Sequence, residues 1–311
     1  MKMNKPKFWD NSKFSMWSIF LFPISIFLLL ISFIKTFKSQ KKYPIPIICV
    51  GNIYLGGTGK TPLAIEIFKI TESLGKKPAF VKKYYSYLHD EITMLEKNGT
   101  TFVATKRKKA IESLIDNNND IAILDDGFQD FDIKKNLSIV CFNQKQWIGN
   151  GFVIPSGPLR EGLSAIKRAH CVFINGEADI KIEKKITEIN KFIKIYYSKY
   201  KPIDIDKFIN KKIIAFSGIG NPSNFYDLLR ENKLNLIKTI NYPDHYNFTK
   251  KDLDSLIYEA KIHDSILITT EKDYYRIEDN YKKNIELVKV ELEINNKNDF
   301  IELIKEKIWK L

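Results

Sequence analysis

The chain has 311 residues, 44% of them hydrophobic, and a formal net charge of +13, enough for a packed core in two domains or one large one. Three cysteines, Cys49, Cys141 and Cys171, lie far apart in apolar runs without metal-ligand spacing, which excludes a zinc motif and reads as reduced core thiols of a cytosol-facing protein. The lysines are scattered and no RNA-binding aromatic motif or DNA-reading helix stands out, so the charge points to a membrane surface or an anionic substrate and not to nucleic acid.

In chain order, Phe14 to Ile34 contains no charged residue and is about as long as a membrane-crossing helix, roughly 20 residues. Lysines flank both sides: Lys2, Lys5, Lys7 and Lys13 before it, Lys35, Lys38, Lys41 and Lys42 after it. A spanning helix carries a bias to one side. Basic residues at both ends, with Pro23 inside, favour a segment that enters one leaflet, ahead of a span or a buried core helix. "PIPIICVGN" then reads as a buried strand, "KTPLAIEIFKITESLG" as a helix, "KPAFVKKYY" as a strand, "KKAIESLID" as a helix, and "DIAILDDG", "LSIVCFN" and "HCVFIN" as strands. This alternation predicts a mostly parallel, doubly wound α/β sheet, with ligands beyond the carboxyl ends of its strands. "EADIKIEKKITEINKFIKIYYSKYKPI" is charged and strand-like, and predicts a join between lobes. A second strand–turn–helix follows in "KKIIAFSGIGNPSNFYDLLREN", then a helix in "TKKDLDSLIYEAK", a strand in "SILITTEKD" and an amphipathic C-terminal helix. The expected division is 1–38 for the apolar helix, 39–175 for the core domain and 176–311 for a smaller α/β lobe, its last helix free to pack back on the core.

The stretch "VGNIYLGGTGKTP" carries the strongest chemical signal. A strand, then Gly56, Gly57, Thr58, Gly59, Lys60 and Thr61, then a helix, is the setting of a phosphate-binding loop (P-loop). Lys60 is placed for the β- and γ-phosphates of a nucleotide and the Thr61 hydroxyl for Mg²⁺. The glycine usual six residues before the lysine is Tyr54 here. Asp125, ending an apolar strand, is the expected acidic complement at the metal. Asp90 and Glu91 in "YYSYLHDEITM" read either as a proton-accepting pair or as a solvated acidic pair opening a helix. His245 in "NYPDHYNFT" reads either as the partner of a carboxylate or as a loop histidine. Arg160 in "PSGPLREG" faces either a phosphate or its neighbour Glu161.

Together these stretches, with "PKFW", "DDGFQ", "GNGFVIPSGPLREGLSAIKRAH", "FSGIGNPSNFYDLL", "YPDHYNF" and "TTEKD", resemble the tetraacyldisaccharide 4'-kinase family over nearly the whole chain. The resemblance implies a P-loop NTPase-like core with a smaller second lobe and a membrane-associated N-terminal helix. It implies ATP and Mg²⁺ as cofactors, and γ-phosphoryl transfer to the 4'-hydroxyl of tetraacyldisaccharide 1-phosphate in lipid A biosynthesis. It implies an enzyme at the cytoplasmic face of the bacterial inner membrane. By motif, Asp90 falls on the aspartate that activates the hydroxyl and His245 on its paired histidine. Lys60 falls on the phosphate lysine, and Glu91, Arg107 and Arg160 on the substrate region. The segment from Lys82 to Tyr87 departs from the family's Ser-Arg-Gly-Tyr-Gly, and Asp130 replaces its histidine. The rival is a membrane-associated P-loop GTPase or ATPase without a lipid acceptor. "TTEKD" has a faint likeness to a guanine-reading Asn-Lys-x-Asp, but Lys272 and Asp273 are adjacent.

Overall fold

The computed structural model describes residues 6–10 and 15–309. Lys2, Lys5 and Lys13 of the basic flank and Phe14 of the apolar segment lie outside these residues. After a short turn at Lys7–Trp9 come α1 (Met16–Thr36), β1 (Ile47–Gly51), α2 (Lys60–Ser73) and β2 (Pro78–Lys83). Then follow α3 (His89–Glu96), β3 (Thr101–Ala104), α4 (Arg107–Asp116), β4 (Ile121–Asp125), β5 (Leu137–Asn143) and β6 (Cys171–Asn175). Next are α5 (Ile180–Ile189), β7 (Lys194–Pro202), β8 (Lys212–Ser217), α6 (Pro222–Glu231), β9 (Asn235–Asn241), α7 (Lys250–Ile262) and β10 (Ile266–Thr270). The chain closes with α8 (Glu271–Tyr274), α9 (Asp279–Lys282), β11 (Ile285–Val288), β12 (Val290–Ile294) and α10 (Lys297–Ile308).

The described residues form two compact units. The core unit takes those up to Tyr84, then Gly99–Lys199, then those from Ile294 onward; the smaller unit takes Tyr85–Asn98 and Tyr200–Glu293. In the core unit the strands run in the order β7-β6-β5-β1-β4-β2-β3, and each neighbouring pair is parallel. Parallel strands need both faces covered and so read as continuous apolar runs, as β1, β4, β5 and β6 do. On one face Ala79, Val81, Val172 and Ile174 pack with Ala110, Ile111 and Leu114 of α4 and Ile182 and Ile186 of α5. On the other, Phe80 stacks on Phe68 of α2, and Phe173 meets Phe300 of α10. This is the doubly wound sheet the alternation predicts.

The smaller unit has a parallel sheet of its own, ordered β11-β10-β8-β9. Phe225, Tyr226 and Leu229 of α6 cover one face, against Ile213, Ala215 and Ile268. Leu253, Leu256 and Ala260 of α7 cover the other, against Ile214, Phe216 and Leu267. Thr249 and Asp252 start α7 with a reciprocal capping box.

The contact division differs from one at 175/176. β6, α5 and β7 as far as Lys199 extend the core sheet, and α10 packs on it. The strand-like reading of 177–202 holds only for β7; its first half is helix, because Asp179 caps Lys181 and Ile182 and the isoleucines at 182 and 186 are one turn apart. α1 is attached to the core unit by its serine face. Ser25 Oγ donates to the Val153 carbonyl at 2.8 Å and lies 2.9 Å from Ser156 Oγ. Ser18 Oγ accepts from Asn150 at 3.2 Å, and Phe22 meets Phe152 edge-on. The opposite face of α1 is open: Phe20 is 74% exposed, with Trp17, Phe27, Phe33 and Ile34 also outward.

Candidate functional site

The loop after β1 owes its shape to its glycines. Gly56, Gly57 and Gly59 all have positive φ, a region that costs glycine little and other residues more. Gly59 caps α2, which begins at Lys60; Pro62 has no N–H and Leu63 donates its own to the Gly59 carbonyl at 3.2 Å, so the amides of the first turn left for a ligand are those of Lys60 and Thr61. Gly51 is needed for another reason: a Cβ there would stand 2.5 Å from Phe128 Cβ of the segment after β4. Tyr54 is a core residue, fully buried with Val153 and Leu159 and bridged to Leu159 through its backbone. The missing glycine therefore marks where this loop is pinned by the 153–159 segment.

β4 lies beside β1 and ends at Asp125, which is buried outright. Its Oδ2 accepts from Thr61 Oγ1 at 3.0 Å and from Lys82 Nζ at 2.6 Å. Its Oδ1 is buried with no hydrogen-bond partner among the described residues. Asp126 follows in the left-handed region and swings its carboxylate to Arg160 at 2.7 Å and Lys60 at 3.9 Å. Burial alone would raise Asp126, but Lys60, Arg160 and Lys82 outweigh it and hold the carboxyl below the usual range. Arg160 thus pairs with Asp126, while Glu161 takes Arg168 at 2.7 Å and Gln129 at 3.0 Å. Arg107 opens α4 with its guanidinium turned inward, donating to the Asp126 carbonyl at 2.6 Å and lying 3.6 Å from Asp130. It braces the acidic loop.

The unpartnered, buried Asp125 Oδ1 and the adjoining Thr61 hydroxyl are hard oxygen ligands, which fits Mg²⁺. Among the described residues no group of three His, Cys, Asp or Glu side chains could hold a metal.

The smaller unit gathers the other expected residues. Asp90 and Glu91 lie in the first turn of α3, so the acidic pair does open a helix, yet Asp90 is buried. His245, in the β9–α7 loop, has positive φ and donates its N–H to the Gly218 carbonyl at 3.0 Å. Its Nδ1 stands 3.2 Å from Asp90 Oδ2. Arg276 grips the same oxygen through Nε at 3.0 Å and Nη2 at 2.5 Å. Lys272 donates to Glu91 at 2.9 Å and lies 3.4 Å from His245 Nε2. Burial would raise Asp90; His245, Lys272 and Arg276 overcome it and hold the carboxyl well below the usual range. Lys272, which burial would lower, is raised instead by Glu91, Asp244 and Asp90. An ionised Asp90 fixes the proton of neutral His245 on Nδ1 and leaves a lone pair on Nε2. The imidazole is the more accessible member of the pair: its side chain is 16% exposed, against 1% for Asp90.

Asp126, which beside Asp125 reads in the sequence as a residue for the metal or for positioning a partner, takes Arg160; no functional role is read in the sequence for Lys82, Lys272 or Arg276. The last two had a signal in "TTEKDYYR", where Thr270 caps α8 through the Asp273 amide. Asp273 is spent on Ser217 Oγ, the Gly218 amide and Thr270, which leaves it no guanine to read.

A parallel sheet, a glycine loop ending in Lys-Thr and a facing aspartate define a P-loop nucleotide-binding α/β protein. The family model "Tetraacyldisaccharide-1-P 4'-kinase" matches residues 17–309. A tetraacyldisaccharide 4'-kinase of Pelagibacter ubique is 46% identical over 98% of each chain, and one of Rickettsia bellii 37% over all of this chain and 99% of its own. LpxK from Aquifex aeolicus, solved in complex with ATP, shares the fold at a TM-score of 0.71 and 22% identity, covering 94% of this chain and 100% of its own. The chain belongs to the tetraacyldisaccharide 4'-kinase family.

Proposed function

We propose that the chain transfers the γ-phosphoryl of ATP to the 4'-hydroxyl of tetraacyldisaccharide 1-phosphate in lipid A biosynthesis. The bond between the γ-phosphorus and the β–γ bridging oxygen breaks, the acceptor oxygen bonds to phosphorus, and ADP leaves. Such transfer depends on positioning and on charge placed where it develops. The amides of Gly56–Thr61 and the Lys60 ammonium hold the phosphates. Arg160, released from Asp126, is a further cation for a phosphate. Thr61 and Asp125 would hold Mg²⁺, which supplies charge neutralisation. The hydroxyl proton passes to the Asp90–His245 pair, Asp90 orienting the ring and stabilising it once protonated. Glu91 fixes Lys272 beside that ring and lines the acceptor's approach. Arg107 serves the substrate region through the loop it braces.

The observation that carries this reading is the Asp90–His245 contact, made across 155 residues in a chain that also has a P-loop. The test is incubation of the purified protein with radiolabelled ATP and the tetraacyl disaccharide, then chromatography of the lipid. Label on the lipid is expected; release of free phosphate without labelled lipid would favour an ATPase.

α1 is the element suited to the inner-membrane surface. It is long and apolar enough to cross a bilayer. Its contacts run from Ser18 through Ser25 to Leu29, 12 residues and about 16 Å of helix, so α1 lies along its own unit. That favours monotopic insertion of the outward face, with Lys35, Lys38, Lys41 and Lys42 near anionic headgroups on the cytoplasmic side.

A further inference from the structure

The last residue but one of β2 does not fit its strand. Pro78, Ala79, Phe80 and Val81 are buried, as an inner parallel strand requires. The next residue, Lys82, is just as buried, at 1% exposed. Taking an ammonium out of water costs several kcal/mol, and a buried ion pair seldom returns more than well-packed apolar side chains would. Stability alone is a poor reason for a lysine here.

Its placement gives a better one. Lys82 Nζ is 2.6 Å from Asp125 Oδ2, the same oxygen that takes the Thr61 hydroxyl. The neighbouring Asp126 carboxylate is flanked by Lys60 and Arg160. A cation from β2 therefore joins those from α2 and from the loop bearing Arg160, around the carboxylates that end β4. Lys82 Nζ stands against the carboxylate that a divalent cation would use, and supplies one fixed positive charge there through the chain itself.

We propose that Lys82 is a resident counter-ion of the nucleotide site, which lets the protein hold a nucleoside triphosphate without a divalent cation. This rests on the ATP-binding reading above. A metal-free triphosphate carries more negative charge than its magnesium complex, so the loop must supply the difference. Lys82 supplies part of it, with Lys60 and Arg160. When the nucleotide arrives with its metal, the ion would share the Asp125 carboxylate with the ammonium and supply neutralising charge of its own, so the contribution of Lys82 shrinks. Lys82 is a positioning residue in this account: it acts on the phosphates through charge and through Asp125.

The test is calorimetric titration of the full-length protein with a non-hydrolysable ATP analogue, once in Mg²⁺ and once in EDTA. Wild-type affinity in EDTA should lie within about tenfold of that in Mg²⁺. Lys82→Gln keeps a hydrogen bond to Asp125 but removes the charge. It should weaken binding in EDTA by about tenfold or more, and in Mg²⁺ by less than about threefold. Lys82→Arg should restore the EDTA arm. Equal weakening in both arms would reduce Lys82 to a structural ion pair, and no change in either would overturn the inference directly. A wild-type gap of more than about a hundredfold between the arms would overturn it whether or not Lys82→Gln folds. Absence of binding in both arms would remove the nucleotide reading, and this inference with it.

Discussion

Around the P-loop, Lys60, Lys82, Arg107 and Arg160 face Asp125, Asp126 and Asp130. Around His245 the balance is reversed: Lys272 and Arg276 are the fixed cations, set among Asp90, Glu91, Asp244 and Asp273. A carboxylate is held ionised in each place, but for different ends. In the core unit the cations exceed the acids, which suits a polyanion. In the smaller unit the acids exceed the cations, which suits a group that must take up a proton from a neutral hydroxyl. One cluster is arranged for binding charge, the other for moving it.

That contrast can be broken most directly at Lys60. Lys60→Ala should lower phosphoryl transfer by about a thousandfold and weaken ATP binding, read by the radiolabel assay and by calorimetry. Transfer within tenfold of wild type would remove Lys60 from the phosphates. Asp90→Asn should lower kcat by about a hundredfold or more with ATP affinity unchanged. Its Arg276 neighbour keeps Asp273 at 2.9 Å and the Gly218 carbonyl at 2.9 Å, so the guanidinium is not stranded. A matching loss of ATP affinity would erase the distinction between the clusters.

A surface test comes next. Phe20→Asp with Phe27→Asp, both on the outward face of α1, should cut recovery of the protein with anionic vesicles in flotation by about tenfold. Unchanged flotation would contradict membrane attachment through that face. Acid stability gives a smaller, signed effect. The folded-state pKa of Asp90 lies below its ordinary value of 3.8, so its contribution is complete above about pH 4 and is lost as pH falls through the lowered value. Wild type should lose stability below pH 4 more steeply than Asp90→Asn, by up to about 1.4 kcal/mol per pH unit. Parallel acid limbs in denaturant titrations would show that Asp90 is not held low. Smallest is Thr249→Ala, which removes the capping box of α7. It should cost about 1 kcal/mol in urea unfolding and leave transfer unchanged; a kinetic defect would tie α7 to the chemistry.

The two clusters also differ in how much of each could be read along the chain. The P-loop is contiguous, and its glycines, Lys60 and Thr61 announce it; Asp125 follows from an apolar strand ending in acid. The elements of both sheets were largely legible for the same reason, since periodicity and turns are local. Asp90 and His245 are individually ordinary, and their pairing came from family resemblance, because nothing local links an α3 residue to a loop 155 positions on. Arg276 meets Asp90 across 186 positions. Lys82 was hidden differently: one lysine at the end of a strand looks solvated, and only the register of β2 beside β4 shows it turned inward. α5 was misread because charged residues masked the spacing of its isoleucines.

The last helix has a consequence for how the protein is made. Phe300 of α10 is fully buried against Phe173 of β6 and Tyr196 of β7, so the β6–β7 part of that face, beyond the reach of α2, stays uncovered until α10 has left the ribosome. At about 5–20 residues per second, the roughly 100 residues between β7 and α10 take 5 to 20 seconds to synthesise. During that interval the apolar surface of β6 and β7 is open to chaperones and to other nascent chains. A ribosome-stalled chain ending before Lys297 should therefore be captured by a holdase chaperone far more readily than one that includes α10.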